Sequence, residues 1–481
     1  MDDNMRKVKT VLQRYSFESK MALCQYYSLK IMDCSRINLE KEILPWYLEI
    51  IVLLSVNYGS WKEDTIDRDT FIKLLNNLHS INFLEEVPKE DIFKKFFLIA
   101  AATQFRLQRG IFIELYRYHY YFSYDNDEFN LKKEFYKKFG CDYFDFCLFS
   151  YGIWTMFVVK KESPSLMYDK NINEIMIKLS LKYRIPFEIL SIKFEDYKKL
   201  LENMNIKLED FYSVTRPSYA FPFIIKNDVI YLPLPHLLII SITEFLMIRL
   251  TEKNNSLRNK IGNIVFEKYL YDILYDSNYF EEIYKEQSYI YKKQEKKTID
   301  VMCRIGNDIL FFDRKSTVPG NKISIIDKRD IDNNISVMGK ACVQMYKHLK
   351  LKYPTEYNPF KNNYSANDEN KWGIVVVESD SFIPRQDIYD EAKRLLEHGG
   401  IDNVDYQWMT KHIIVTDISC IESFYCYNPK EFLEELKDRA SNNKIHNFIT
   451  FSKGCSLTNK KILDFNNKLI EDIKKDIECL L

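Results

Sequence analysis

In the segment IDVMCRIGNDILFFDRKS, residues 299–316, two carboxylates and an ammonium group lie close in sequence: Asp300, Asp313 and Lys315. The apolar runs on either side of Gly306-Asn307-Asp308 predict a β-hairpin made of Asp300–Ile305 and Ile309–Lys315. Successive residues of a strand face opposite sides, so Asp313 and Lys315 share one face and Arg314 takes the other. Closing the hairpin returns Asp300 to the side of Asp313. Paired carboxylates can hold Mg²⁺, a hard ion that prefers oxygen ligands. The ion can polarise a phosphodiester, stabilise its charged transition state and lower the pKa of a bound water. Lys315 could orient that water or offset charge on the phosphate, and the backbone carbonyl of Arg314 is a further candidate ligand.

Other polar residues could join this group. Glu267 lies in GNIVFEKYL, on a predicted helix ahead of the hairpin, and could bind a metal-bound water or a second ion. Lys340 and Gln344 are about one helical turn apart and share a face. His348, four residues further on, could approach the site but reads better as a surface helix residue. Each residue also has a plain reading as a surface charge or an exposed helix position. Glu267 has no ion partner at i±4, where Asn263 and Tyr271 stand. The combination says more than any member of it. Ile309–Phe312 is an apolar run, and if that strand is buried, its Asp-Arg-Lys end needs a polar destination.

These residues must be positioned by a second half whose pattern differs from the first. Ile261–Leu274, Val337–Leu349, Ile388–Leu396 and Pro429–Leu436 carry helical periodicity, while Trp372–Glu378 and His412–Thr416 read as strands. A hairpin followed by alternating helices and strands indicates an α/β domain with a mixed sheet. The polar run Thr251–Lys260 marks the main boundary. Before it the chain reads as mostly helical, with candidates at Phe71–Leu78, Ile92–Phe97, Gly110–Arg117, Ile172–Leu181, Ser191–Ile206 and Leu237–Leu250. A strand pair is predicted over Ile224–Tyr231, around Asn227-Asp228. Aromatics crowd Tyr116–Tyr124 and Tyr136–Phe149, as core packing or as a stacking or partner surface. Thr458–Leu481 reads as a closing helix. The expected organisation is a mostly helical region over 1–250, an α/β domain over 255–440 and a helical extension over 441–481.

The chain has 481 residues, 46% apolar and 29% charged, and this is globular composition. Lys+Arg and Asp+Glu both number 69, which excludes a globally basic coat but not a local basic groove. The run Tyr291–Lys297, YKKQEKK, with Arg314, Lys322, Lys328 and Arg329, could hold a phosphate backbone or be a solvated edge. None of the ten cysteines forms a CxxC pair, so they read as mostly reduced core thiols. The histidines form no HxH or HExxH pattern, and no P-loop or dinucleotide-binding glycine motif occurs. Ile43–Val56 and Leu232–Leu250 are the most apolar stretches; each carries an acid, and both fall short of the roughly 20 apolar residues of a membrane span. A cytoplasmic protein without a membrane partner is expected.

The second half resembles the PD-(D/E)XK nuclease superfamily, the restriction-endonuclease-like fold. Glu267 matches that family's helix acid, Asp300 the first hairpin acid, and Asp313-Arg314-Lys315 the (Asp/Glu)-x-Lys triplet. Lys340 and Gln344 resemble polar positions of the following helix. The residue before Asp300 is Ile299 rather than the family's Pro. The resemblance covers about Asn255–Asp417 and leaves out the aromatic-rich first half. It implies a restriction-endonuclease-like α/β nuclease domain over 255–440 behind a large helical recognition, regulatory or assembly region over 1–250, and a Mg²⁺-dependent phosphodiesterase, with Mn²⁺ as the alternative ion. The implied catalytic residues are Glu267, Asp300, Asp313, Lys315 and Gln344, and the implied metal site is Glu267, Asp300, Asp313 and Arg314. DNA is favoured over RNA as substrate, cut internally, in bacterial antiviral defence. A tRNA or other RNA nuclease, a non-catalytic nucleic-acid-binding subunit, and a homo-oligomer or second protein subunit are the alternatives.

Overall fold

The computed structural model describes residues 3–32, 44–62, 64–81, 111–159, 170–185, 187–204, 217–316, 328–378, 383–401, 403–425, 428–442 and 459–480. The predicted helix Ile92–Phe97 lies outside them. The chain divides into two units, one built mainly from Met1–Glu252 with Phe465–Leu481 added, the other from Lys253–Gly320 and Ile326–Asp464.

The first unit is predominantly helical. Its helices follow local rules: Asp67 caps Arg68–His79 by accepting from the Thr70 amide at 2.8 Å, and Asn130 caps Leu131–Phe139 through the Lys133 amide at 2.7 Å. Gly140 ends the latter helix at φ 76°, a left-handed position that suits glycine. Much of the two aromatic clusters is core, though Tyr136 is exposed. Tyr118, Tyr121, Phe122, Phe135, Phe139, Tyr143, Phe146 and Phe149 are all buried, and the rings of Phe122 and Phe135 lie 4.5 Å apart. Ser191–Ile206 begins not as a helix but as strand β1, Ser191–Lys193, before the helix Phe194–Met204. β1 runs parallel to β2, Phe223–Lys226, which turns through Asn227 and Asp228 into antiparallel β3, Val229–Tyr231. Leu237–Leu250 is interrupted at Thr243, between the short helix Leu238–Ile242 and the helix Glu244–Thr251.

The apolar helix Pro45–Tyr58 is buried from Tyr47 to Val56, Glu49 included. Tyr219 Oη donates to Glu49 Oε2 at 2.8 Å, His236 Nε2 lies 3.4 Å from Glu49 Oε1, and His236 Nδ1 lies 2.7 Å from Ser28 Oγ. Serine, histidine and glutamate in line resemble a hydrolytic triad. Yet Ser28 and Glu49 are wholly buried, and Ser28 Oγ also accepts from the His236 amide. The network joins helices rather than meeting a substrate. Replacing Glu49 by Ala strands two buried partners, each costing about 1–3 kcal/mol. We predict a fall in melting temperature of roughly 5–10 °C for Glu49→Ala; an unchanged thermal transition would show that the network carries no stability. No helix among the described residues is long and apolar enough to cross a membrane.

The second unit holds a five-stranded sheet in the order β10-β9-β8-β7-β4. The strands are β4 Glu282–Lys285, β7 Val301–Ile305, β8 Asp308–Lys315, β9 Lys371–Val377 and β10 Ile413–Asp417. β4, β7 and β8 pair antiparallel, and β8, β9 and β10 pair parallel, so the sheet is mixed. The turn of the β7–β8 hairpin is tighter than its sequence suggests. Gly306 takes φ 60°, and Asp308 already belongs to the strand. Its buried carboxylate accepts from Trp372 Nε1 at 3.1 Å and Lys437 Nζ at 2.6 Å.

Helices Lys328–Tyr346 and Arg385–His398 cover one sheet face, where Met302, Ile309, Phe311, Val375 and Val377 meet Met338, Cys342, Met345 and Ile388. A Cβ on Gly373 would stand 2.3 Å from Met345 Cγ, so only glycine lets the helix come this close to β9. His348 is not a surface residue. It sits in the π-helical extension Lys347–Lys352, buried against Tyr357 Oη at 2.8 Å, and burial pushes its pKa down to about 3. The predicted strand edge at Tyr291–Lys297 is part of a separate hairpin of β5, Ser288–Tyr291, and β6, Gln294–Lys297. Six cysteines among the described residues, Cys24, Cys141, Cys147, Cys303, Cys342 and Cys420, are free and buried.

Candidate active site

The hairpin register brings the first two carboxylates together. Val301 pairs with Phe312, so the next step outward sets Asp300 across from Asp313. Facing residues of an antiparallel pair share a sheet face. Asp313 is almost wholly buried, at 1% exposure, and Lys315 Nζ lies 2.8 Å from its Oδ2. Lys315 also donates to Gln344 Oε1 at 3.3 Å, from the helix Lys328–Tyr346. Asp313, Lys315 and Gln344 are therefore one connected group.

Arg314 organises the other side. Its backbone amide donates to Asp300 Oδ2 at 2.8 Å. Its guanidinium reaches Glu267 Oε2 at 2.9 Å from Nη2 and 3.3 Å from Nε, and its Nη1 donates to Asn263 Oδ1 at 3.2 Å. Strand alternation thus sends Lys315 toward one helix and Arg314 toward another. Glu267 finds its ion partner across the fold, not at i±4. Asn263 was not singled out by sequence; its i−4 position relative to Glu267 is the signal that could have found it.

Glu267 follows directly on a π-helical stretch, Ile261–Phe266. Such stretches are rare and frequent at functional sites. Gly262 lies within it, where a Cβ would meet the Ser316 Cβ and Oγ at 2.4 Å. Ser316 follows Lys315, so this glycine lets the Glu267 helix close onto the end of β8.

Electrostatics favour a cation. Burial pushes the Asp313 carboxyl up to about 7, against the opposing pull of Lys315 and with added repulsion from Asp300. Burial also raises Asp300 and Glu267, in each case against Arg314. Among the described residues no group of three or more His, Cys, Asp or Glu is clustered to hold a metal with protein ligands alone. Mg²⁺ typically keeps several waters and uses only one or two carboxylates. Asp300 and Asp313 supply that oxygen donor set, so the residues fit such an ion. Glu267 Oε2 is engaged by Arg314, which places Glu267 beside the pair as a residue that orients Arg314.

Lys340 is exposed on the same helix as Gln344, and among the described residues no hydrogen bond or ion pair joins it to Asp300, Asp313 or Glu267. The Glu391 carboxyl is held down first by Arg394 and also by the charge of Lys340. Lys322 and the side chains of Lys328 and Arg329 lie outside the described residues. No protein-family model, curated protein or solved structure matches this chain.

Proposed function

We propose that this protein is a Mg²⁺-dependent nuclease of the PD-(D/E)XK type, with DNA as its first-choice substrate and internal cleavage as its mode. The observation that carries the reading is the buried Asp313, paired with Lys315 at 2.8 Å and facing Asp300 at the end of a buried hairpin. Asp313 is paired with Lys315, and Asp300, 13% exposed, has Arg314 Nε 3.9 Å away, yet burial still raises both carboxyls. A structural ion pair has little reason to keep carboxylates where desolvation outweighs the attraction. A hydrolytic site has that reason.

Asp300 and Asp313 would hold the ion. When bound, it supplies Lewis-acid polarisation of the phosphodiester and a water acidic enough to attack at neutral pH. Lys315, steadied by Gln344, points an ammonium group at the same place and can orient the water or meet charge on the phosphate. Glu267 and Asn263 fix the Arg314 guanidinium, and the Arg314 amide fixes Asp300. The resemblance to bacterial antiviral effectors makes phage defence the proposed setting; that step is analogy.

The test is cleavage of circular plasmid, single-stranded DNA and total tRNA by the purified full-length protein, with Mg²⁺, Mn²⁺ or EDTA. Metal-dependent cutting is expected, reduced about 10³-fold or more in Asp313→Ala. Cutting that persists unchanged in that variant would remove these residues from the mechanism. Cutting of tRNA alone would replace DNA by RNA in the reading.

A further inference from the structure

The β5–β6 hairpin is a part of the second unit that the site does not use. One of its faces is fixed. The Tyr289 and Tyr357 rings lie 4.9 Å apart, and Tyr289 Oη and Lys296 Nζ donate to Glu356 Oε2 at 3.2 and 2.9 Å. At the base, the Thr298 amide donates to the Gln287 carbonyl at 3.0 Å, and the Gln287 amide donates to Thr298 Oγ1 at 2.9 Å. The other face meets solvent, with Ile290 79% exposed. A rigidly anchored hairpin thus holds an isoleucine in water.

Its tip is unusual in a second way. Lys292 and Lys293 form the turn at φ 49° and 66°. This left-handed region disfavours side chains with a Cβ, and Asn-Gly is the usual solution for such a two-residue turn. Here two lysines occupy it, and both are exposed. Unfavourable backbone kept at an exposed position points to a use for the side chains. Residues 285–297 carry five lysines and two glutamates, so the hairpin is basic in an otherwise neutral chain.

The hairpin is also close to the site along the chain. From Lys293 to Asp300 the strand runs at most about 24 Å when fully extended. That equals about seven base-pair steps of a duplex. Lys297 is held charged first by Glu286, and the carboxylates of Glu267 and Asp300 add to the effect.

We propose that the β5–β6 hairpin grips the polynucleotide beside the cut, with Lys292 and Lys293 on backbone phosphates and Ile290 against a sugar. The class of ligand rests on the nuclease reading above.

The test compares wild type with Lys292→Asn/Lys293→Gly. That pair removes both charges while giving the turn its preferred residues, so the melting temperature should hold or rise. Binding to a fluorescent 30-base-pair duplex and to its single strand is followed by anisotropy in EDTA across a salt series. We expect affinity to fall about 10-fold at moderate salt and the salt slope to drop by about two. In the cleavage assay KM should rise by a similar factor with kcat nearly unchanged. Ile290→Ser should weaken binding several-fold with the slope unchanged. If wild type binds and cuts, but the double variant keeps the same affinity, slope and KM, the hairpin proposal alone is overturned. If wild type neither binds nor cuts any polynucleotide, the proposal falls together with the nuclease reading.

Discussion

Asp313→Asn is expected to abolish phosphodiester cleavage and, at the same time, to stabilise the metal-free protein at neutral pH. The first effect follows from losing an anionic oxygen of the pair that would hold the ion. The second follows from burial. The Asp313 carboxyl is raised from its ordinary 3.8 to about 7 in the folded chain, mainly by desolvation. A group whose folded pKa lies above its unfolded one contributes fully below the unfolded value, and that contribution is lost as pH rises through the folded value. The contribution of Asp313 to the stability of the metal-free wild type should therefore be lost between about pH 4 and pH 7. Three units of difference correspond to at most about 4 kcal/mol.

Asparagine has no charge to bury, so the variant should gain on wild type as pH rises through that window and be the more stable at pH 8. Lys315 keeps its Gln344 contact and is partly exposed, so it is not left stranded. Chemical denaturation in EDTA at pH 4, 6 and 8 measures this directly. A variant less stable than wild type at pH 8 would mean that the Asp313–Lys315 pair is a net structural gain, and the argument for a site kept at a cost would fail. Stability lost for function is common where carboxylates are gathered for catalysis.

Gly262→Ala should cut activity about 100-fold without removing any polar group of the site. The new Cβ would stand 2.4 Å from both the Cβ and Oγ of Ser316. Rotating Ser316 cannot relieve a clash with its own Cβ. Either the Glu267 helix or the end of β8 must retreat by about 1 Å, and a misplacement of that size can cost about 10²-fold in rate. The overpacking itself should cost about 1–3 kcal/mol. Gly152 is the control, because it lies in the helix Tyr143–Val159 with nothing within 4 Å of its Cβ position. Gly152→Ala should be neutral or slightly stabilising, as alanine suits a helix interior better than glycine. Cleavage rates and melting temperatures of both variants decide the matter. A Gly262→Ala protein that cuts and melts like wild type would show that the Glu267 helix does not depend on this close approach.

What the sequence determined by itself was local. The apolar runs on either side of the Gly306 turn predict the β7–β8 hairpin, but a three-residue turn would set Asp300 across from Arg314. The tighter turn, with Asp308 already in the strand, sets it across from Asp313. Strand alternation separates Lys315 from Arg314, and helical periodicity marks the elements carrying Glu267 and Gln344. These features depend on residues within a turn or a strand of each other. β4 and the two strands of the β5–β6 hairpin are four residues each, without a regular apolar alternation, which is why they were not legible as strands and YKKQEKK read as a phosphate-binding run or a solvated edge.

Tertiary structure decided the rest. Glu267 meets Arg314 and Gln344 meets Lys315 across long stretches of chain, contacts that no sequence window contains. The same holds for Glu49, Tyr219 and His236, whose network turns an acid in an apolar helix into a buried junction. Burial itself is a property of packing. Asp313 and Asp300 are the same residue type in the same hairpin, but the helices that cover β8 desolvate Asp313 almost completely, and that desolvation drives its carboxyl to about 7. Residue type fixes what a side chain can do. The dielectric around it and the partners brought from afar fix whether it does so, and both exist only once the chain has folded.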